Sequence, residues 1–200
     1  MAQIKLNATL GLEGTLPAIS GANLTSLNAS NISSGTLSTS RYVQGGITMI
    51  DQFRLTSNLD DNADPISSNL ERVDDASFSK VGTGMTLSSG IYTFPATGLY
   101  QVNVNAMFQV QDDPNVDLGT FVSSNSGGAY DQTAIARGGK ASSNFTNFGT
   151  SSTCMVNVTN ATNFRVKFTL SDVASGDTRL QSGTNENKTT FTFIRLADSQ

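Results

Sequence analysis

The run Gly90-Ile91-Tyr92-Thr93-Phe94-Pro95-Ala96-Thr97-Gly98-Leu99-Tyr100-Gln101-Val102-Asn103-Val104 constrains this chain more than any other segment. Apolar and polar residues alternate on either side of a Pro-Ala-Thr-Gly break, and a period of two is that of a strand with one buried face. Pro95 lacks the N–H that a strand ladder requires and Gly98 relaxes the backbone sterics, so the break is a tight corner between two strands. A second alternating run, Thr189-Thr190-Phe191-Thr192-Phe193-Ile194-Arg195-Leu196, lies near the far end of the sequence.

Strand-like stretches also occur at residues 47–55, 99–108, 153–158 and 164–170. Clusters such as Asn125-Ser126-Gly127-Gly128 and Ser182-Gly183-Thr184-Asn185 separate them, which is the pattern of an all-β sandwich or jelly roll. Composition agrees: charged residues are only 14%, whereas long amphipathic helices would need more Glu, Lys, Arg and Leu. With 200 residues and 37% hydrophobic content, the chain can bury a substantial core.

Several function classes are disfavoured by what is missing. A net charge of -4 supplies no basic stripe for phosphate neutralisation, so no nucleic-acid partner is expected. No apolar run approaches the ~20 residues that span a bilayer, so no membrane insertion is expected. The opening Met1-Ala2-Gln3-Ile4-Lys5-Leu6-Asn7 has no apolar core of a secretion signal, and synthesis in a cytoplasm is expected. The chain contains no His, which removes the usual general base and the commonest transition-metal ligand. No enzyme and no catalytic residue are expected. The single Cys154 cannot form an internal disulfide, and its apolar surroundings mark it as a small core residue.

Residues 1–45 differ from the rest. Ala22, Leu27, Ile32, Leu37 and Tyr42 recur every five positions among Ser, Thr, Asn and Gly. That period fits neither a strand nor a helix, and one apolar anchor per copy cannot bury a core. The segment is an extended N-terminal arm whose anchors are Leu27, Ile32, Leu37 and Tyr42, or, in the plainer reading, a polar linker. Residues 46–200 form the head.

Two acidic stretches place oxygen ligands at cation-binding spacing. In residues 60–71, Pro65 stands where a calcium loop needs a sharp Gly turn, so that stretch is a solvated turn. Asp112, Asp113 and Asp117 form the other candidate set, for calcium, and no other cofactor is expected. Alternation assigns Phe94, Tyr100, Phe108, Phe164, Phe168, Phe191 and Phe193 to the core or a subunit interface. Tyr130, Phe145 and Phe148 fall outside the strand-like runs, in loops proposed at 112–117, 123–130 and 138–148. With Asn144 and Asn147, they are the candidate receptor contacts, suited to stacking on a sugar face and bonding its hydroxyls.

The phrase at 90–100, Phe78 ahead of it, the strands at 153–158 and 164–170, and the closing Phe191-Thr192-Phe193-Ile194-Arg195-Leu196 together resemble the jelly-roll heads of the tumour necrosis factor and complement globular-head proteins. Trp is absent and there is no collagen-like stalk, which sets the chain apart from the animal complement proteins. Residues 21–37 resemble segments of bacteriophage tail-fibre and other virion fibre proteins. These resemblances imply a homotrimer, with strands at 91–108 and 189–196 supplying aliphatic and aromatic side chains to a threefold face, and calcium at the jelly-roll apex. They also imply a virion structural protein, a tail or head fibre whose arm contacts other virion proteins and whose head, on the virion surface, attaches to a host glycan or protein. A capsid decoration protein and a free lectin-like binding module are the alternatives.

Overall fold

The computed structural model describes residues 46–174 and 176–200. The proposed arm, with Leu27, Ile32, Leu37 and Tyr42, lies outside the described residues. Eleven strands follow in order: β1 Met49–Leu55, β2 Leu70–Arg72, β3 Thr86–Ser88, β4 Ile91–Thr93, β5 Gly98–Val110, β6 Asp113–Ser123, β7 Asp131–Lys140, β8 Thr146–Val158, β9 Arg165–Ser171, β10 Arg179–Leu180 and β11 Thr190–Ala197. All pairings are antiparallel, and the described residues contain no helix. One sheet runs β5-β11-β1-β2, with β8 along the other side of β5 and the short β10 at its end; the second runs β3-β4-β9-β6-β7.

The corner at 94–97 carries the chain from the second sheet to the first, because β4 belongs to one and β5 to the other. Phe94 packs against Tyr100 across it with ring centroids 4.7 Å apart, and the Tyr100 hydroxyl donates to the Ala96 carbonyl at 2.9 Å. The expected strands at 47–55, 99–108, 153–158, 164–170 and 191–196 all form. The loops proposed at 112–117 and 138–148 are mostly strand instead: β6 begins at Asp113, β7 reaches Lys140 and β8 starts at Thr146. Asp, Pro and Gly there resemble turn material, but β6 lies between β9 and β7, and its neighbours complete the ladder. The register breaks between Asp113 and Val116, where the proline's missing donor is accommodated.

Between the sheets lies an aromatic and aliphatic core. Strand β5 buries Tyr100, Val102, Val104, Ala106, Phe108 and Val110, every second residue. Phe53 of β1 and Phe193 of β11 meet Tyr92 of β4 and Phe168 of β9 from the opposite sheet. Each such side chain contributes about 1.5–3 kcal/mol through burial.

One outward residue is also buried. Arg54, 1% exposed, lies beneath the segment after β2 and donates to Glu71 at 2.7 Å, Asp74 at 2.6 Å and Asp75 at 2.7 Å. Burial opposes its charge, but the bonds and charges of Glu71 and Asp75 outweigh it and hold the guanidinium protonated. Asp51, fully buried, accepts two bonds from Arg72 at 2.8 and 3.0 Å and one from the Met85 amide at 2.7 Å.

Tyr92 is buried with no hydrogen-bond partner for its hydroxyl among the described residues. Burial pushes its phenol up, and the negative charge of Asp51 adds to the shift. In the unfolded chain the phenol ionises near pH ~10, releasing a proton that the folded state retains. Stability from this group is therefore full below that pH and lost as pH rises above it, by roughly 1.4 kcal/mol per pH unit. Tyr92→Phe is expected to leave stability at neutral pH within about 1 kcal/mol of the parent. It is also expected to make the alkaline loss shallower, which urea unfolding between roughly pH 8 and 11 measures as the difference between the two proteins.

Candidate binding surfaces

The alternation that fills the core also fixes what each sheet shows on its outer side. Across the first sheet the register aligns Gln52, Thr192, Asn103 and Thr153 in one row and Ile50, Ile194, Gln101 and Met155 in the next. Neighbours in the first row bond to each other: Gln52 Nε2 donates to Thr192 Oγ1 at 2.8 Å, and Asn103 Nδ2 to Thr153 Oγ1 at 3.0 Å. Neither row carries a charge. Asn103 Oδ1, at the centre, is buried without a partner among the described residues, and Met155 is 57% exposed. Of the aromatic residues assigned to the core or a subunit interface, Phe191 and Phe193 go to the core, because they pair with Val104 and Val102 on the inward side of β5.

The candidate receptor residues do not share one surface. Tyr130 precedes β7, while Asn144, Phe145, Asn147 and Phe148 follow it. A ten-residue strand separates the two groups, by about 30 Å at the usual rise per residue. Tyr130 is half-buried, with the Lys167 ammonium 4.8 Å from its ring centroid. Asn144 is exposed, Phe145 is 55% exposed, and Asn147 accepts a bond from Gln181 Nε2 at 2.9 Å. Phe148 is not a loop residue: it faces inward from β8, its ring 5.6 Å from that of Phe108. Its ring fills the space over Gly138, where a Cβ would come within 1.8 Å of it.

The three candidate calcium ligands are likewise dispersed in role. Asp112 is exposed in the turn before β6, with φ 54°. Asp113 is buried and accepts a bond from the Ala174 amide at 3.1 Å. Asp117 receives both Nε and Nη2 of Arg137 at 2.6 Å, and this pairing raises the Arg137 pKa further. Among the described residues no group of three or more Asp, Glu, Cys or His side chains is arranged to hold a metal ion. Asp113, Arg137 and Asp172 instead border a shallow recess of ≈ 320 Å³. Cys154 is half-buried on the inward side of β8; burial pushes its thiol up, away from the reactive thiolate, and Thr133 Oγ1 donates to Sγ at 3.5 Å.

The sequence did not single out Arg54, Asp51 or the outer side of the second sheet. Arg54 occupies an alternating position that looks solvent-facing, and only the segment folding back over it makes it buried. Phe121 and Lys167 face each other across β6 and β9, a pairing hidden while part of β6 reads as a loop.

No protein-family model and no curated protein matches this sequence. Solved structures do match its fold. Murine APRIL at pH 8.5 superposes with a TM-score of 0.52 at 12% identity, over 74% of this chain and 98% of that one. Murine APRIL at pH 5.0 gives 0.53 at 13% identity, with the same coverage. The Eiger TNF of S. frugiperda gives 0.54 at 11% identity, over 76% and 94%. The fold is a TNF-like jelly-roll sandwich. Identities this low carry the jelly roll's strand arrangement and nothing of its partners.

The two phenylalanines that follow β7 are expected to behave oppositely. Phe148→Ala should cost about 2 kcal/mol, since it removes a half-buried ring packed on Phe108. Phe145→Ala should change stability by no more than about 0.5 kcal/mol. Denaturant melts of the two variants check this directly.

Proposed function

We propose that this protein is a bacteriophage virion structural protein, a homotrimeric fibre-type protein whose TNF-like jelly-roll head attaches to the host surface. The observation that carries the reading is the outer face of the first sheet. Its central rows offer Ile50, Ile194 and Met155 beside amides and hydroxyls already bonded to one another, without a charge to repel a second copy. A closed threefold arrangement buries three such faces and leaves none open to further growth. The phage-fibre-like phrase at 21–37 supports the setting: residues 1–45 fasten the trimer to the particle, and the head is displayed on the virion surface.

Light scattering of the full chain is expected to give 63.0 kDa, three times 21.0 kDa. Asn103→Lys places a like charge on every copy at the centre of the face, so that variant should scatter as a folded 21.0 kDa monomer whose melt, unlike the parent's, does not depend on protein concentration. A parent protein that is monomeric at micromolar concentration defeats the trimer. Mass-spectrometric copy number on purified particles tests the role, and copies in the hundreds per particle would indicate shell decoration instead.

A further inference from the structure

The outer side of the second sheet carries a recess of ≈ 430 Å³, within the roughly 300–1,000 Å³ range of small-ligand sites. Its shape follows from register. Gly119 of β6 stands opposite Thr169 of β9, and Phe121 stands opposite Lys167. Residues 62–64 continue the sheet beside β9 through a mutual bridge between Ala63 and Leu170, with amide-to-carbonyl bonds of 2.8 and 2.9 Å. That bridge sets Asn62 and Asp64 on the same outer side as Thr169 and Ser171.

Gly119 is the reason the surface is hollow. A Cβ at this position would lie 2.8 Å from Phe121 Cε2 and 2.9 Å from Thr169 Oγ1. Without one, the Phe121 ring leans over the glycine and rests along the sheet. The nearby cation is already committed: Lys167 pairs with Asp64, stands 5.5 Å from the Phe121 centroid and 4.8 Å from that of Tyr130, and is only 16% exposed. What the recess presents is an aromatic ring, the hydroxyls of Thr169 and Ser171, the Asn62 amide and the carboxylates of Asp64 and Asp172.

We propose that this recess binds one neutral saccharide ring, an inference that rests on the attachment reading above and gives it a site. The C–H face of a pyranose packs on the Phe121 ring, and its hydroxyls donate to the carboxylates and exchange bonds with Thr169, Ser171 and Asn62. The cations nearby are committed, Lys167 to Asp64 and Arg137 to Asp117, so none is left to pair with an acidic sugar or a phosphorylated ligand. The site lies on the sheet opposite to the self-association face, so each copy keeps its own.

The full chain is to be screened on an array of bacterial O-antigen and capsular oligosaccharides, then by saturation-transfer NMR with galactose, N-acetylglucosamine, rhamnose and glucuronate. Neutral sugars are expected to bind and glucuronate is not. Phe121→Ala and Ser171→Trp, the second of which fills the recess from an outward position, should each weaken binding by about tenfold or more, while Phe145→Ala leaves it unchanged. No neutral glycan bound by the parent, or parent-like affinity in both recess variants with parent-like melts, overturns the proposal. Host-cell binding separates it from the attachment reading. Cells held equally by parent and Ser171→Trp remove the recess and keep attachment, whereas sugar bound at the recess by a parent that ignores cells keeps the recess and removes attachment.

Discussion

The joint between the sheets is a set of aromatic rings contributed by strands far apart in sequence. Tyr92 is its hub: its ring centroid lies 5.0 Å from Phe53, 5.1 Å from Phe193 and 5.4 Å from Phe168, and Phe168 in turn lies 4.3 Å from Phe191. Edge-on and tilted rings at these separations gain about 0.5–1.5 kcal/mol per pair beyond their burial. More consequential is what the joint forbids. A slip of one residue in β1, β4, β9 or β11 would swing its ring out to solvent and bring a polar neighbour inward. Fixing the inward residues therefore fixes the outward ones, and the composition of both outer faces follows from the core.

Charge is distributed to match. None of the acidic and basic groups stands on the first sheet's two central rows; many tie down the long connection between β1 and β4. Arg54 gathers Glu71, Asp74 and Asp75, Arg72 grips Asp51, Lys167 holds Asp64, and Arg179 reaches Asp60 at 3.3 Å. The exposed pairs among these are worth little singly. Arg54 is different because it is buried: its separate donors each require an acceptor, and only one placement of residues 71–75 supplies all three. The cluster orients a connection that hydrophobic burial alone leaves loose.

How much of this was legible in the sequence depended on whether a strand carried its pattern in its own residues. The phrase at 90–104 and the run at 189–196 did, because each alternates strictly and faces one side to the core. Strands β6 and β7 did not: Asp113, Pro114, Asn115, Gly138 and Gly139 are turn residues by local preference, and they are strand only because neighbours on the sheet pair with them. The recess is equally invisible in the sequence, since Phe121 and Gly119 acquire meaning only when paired with Lys167 and Thr169. Phe148 reads as a loop residue for the same reason, although its ring lies against Phe108. Tyr130 and Phe145 looked like one recognition cluster because they are close in sequence, yet antiparallel pairing puts them at opposite ends of β7. The residue types suited to contact were identifiable from sequence, whereas their grouping was a property of topology.

The two outer faces are unlike, and the difference gives the sandwich a direction. One has central rows without charge, rich in mutually bonded amides and hydroxyls, which suits repeated contact between identical copies. The other is hollowed at Gly119 and walled by an aromatic ring and carboxylates, which suits a small polyhydroxylated ligand. Because the sheets lie back to back, self-association through the first necessarily turns the second outward on every subunit. On the proposed trimer, three such recesses facing a surface that repeats the same sugar would engage it together, with an effective concentration set by the trimer's dimensions. In that proposal weak individual sites and a self-associating face are parts of one arrangement, each of limited use without the other.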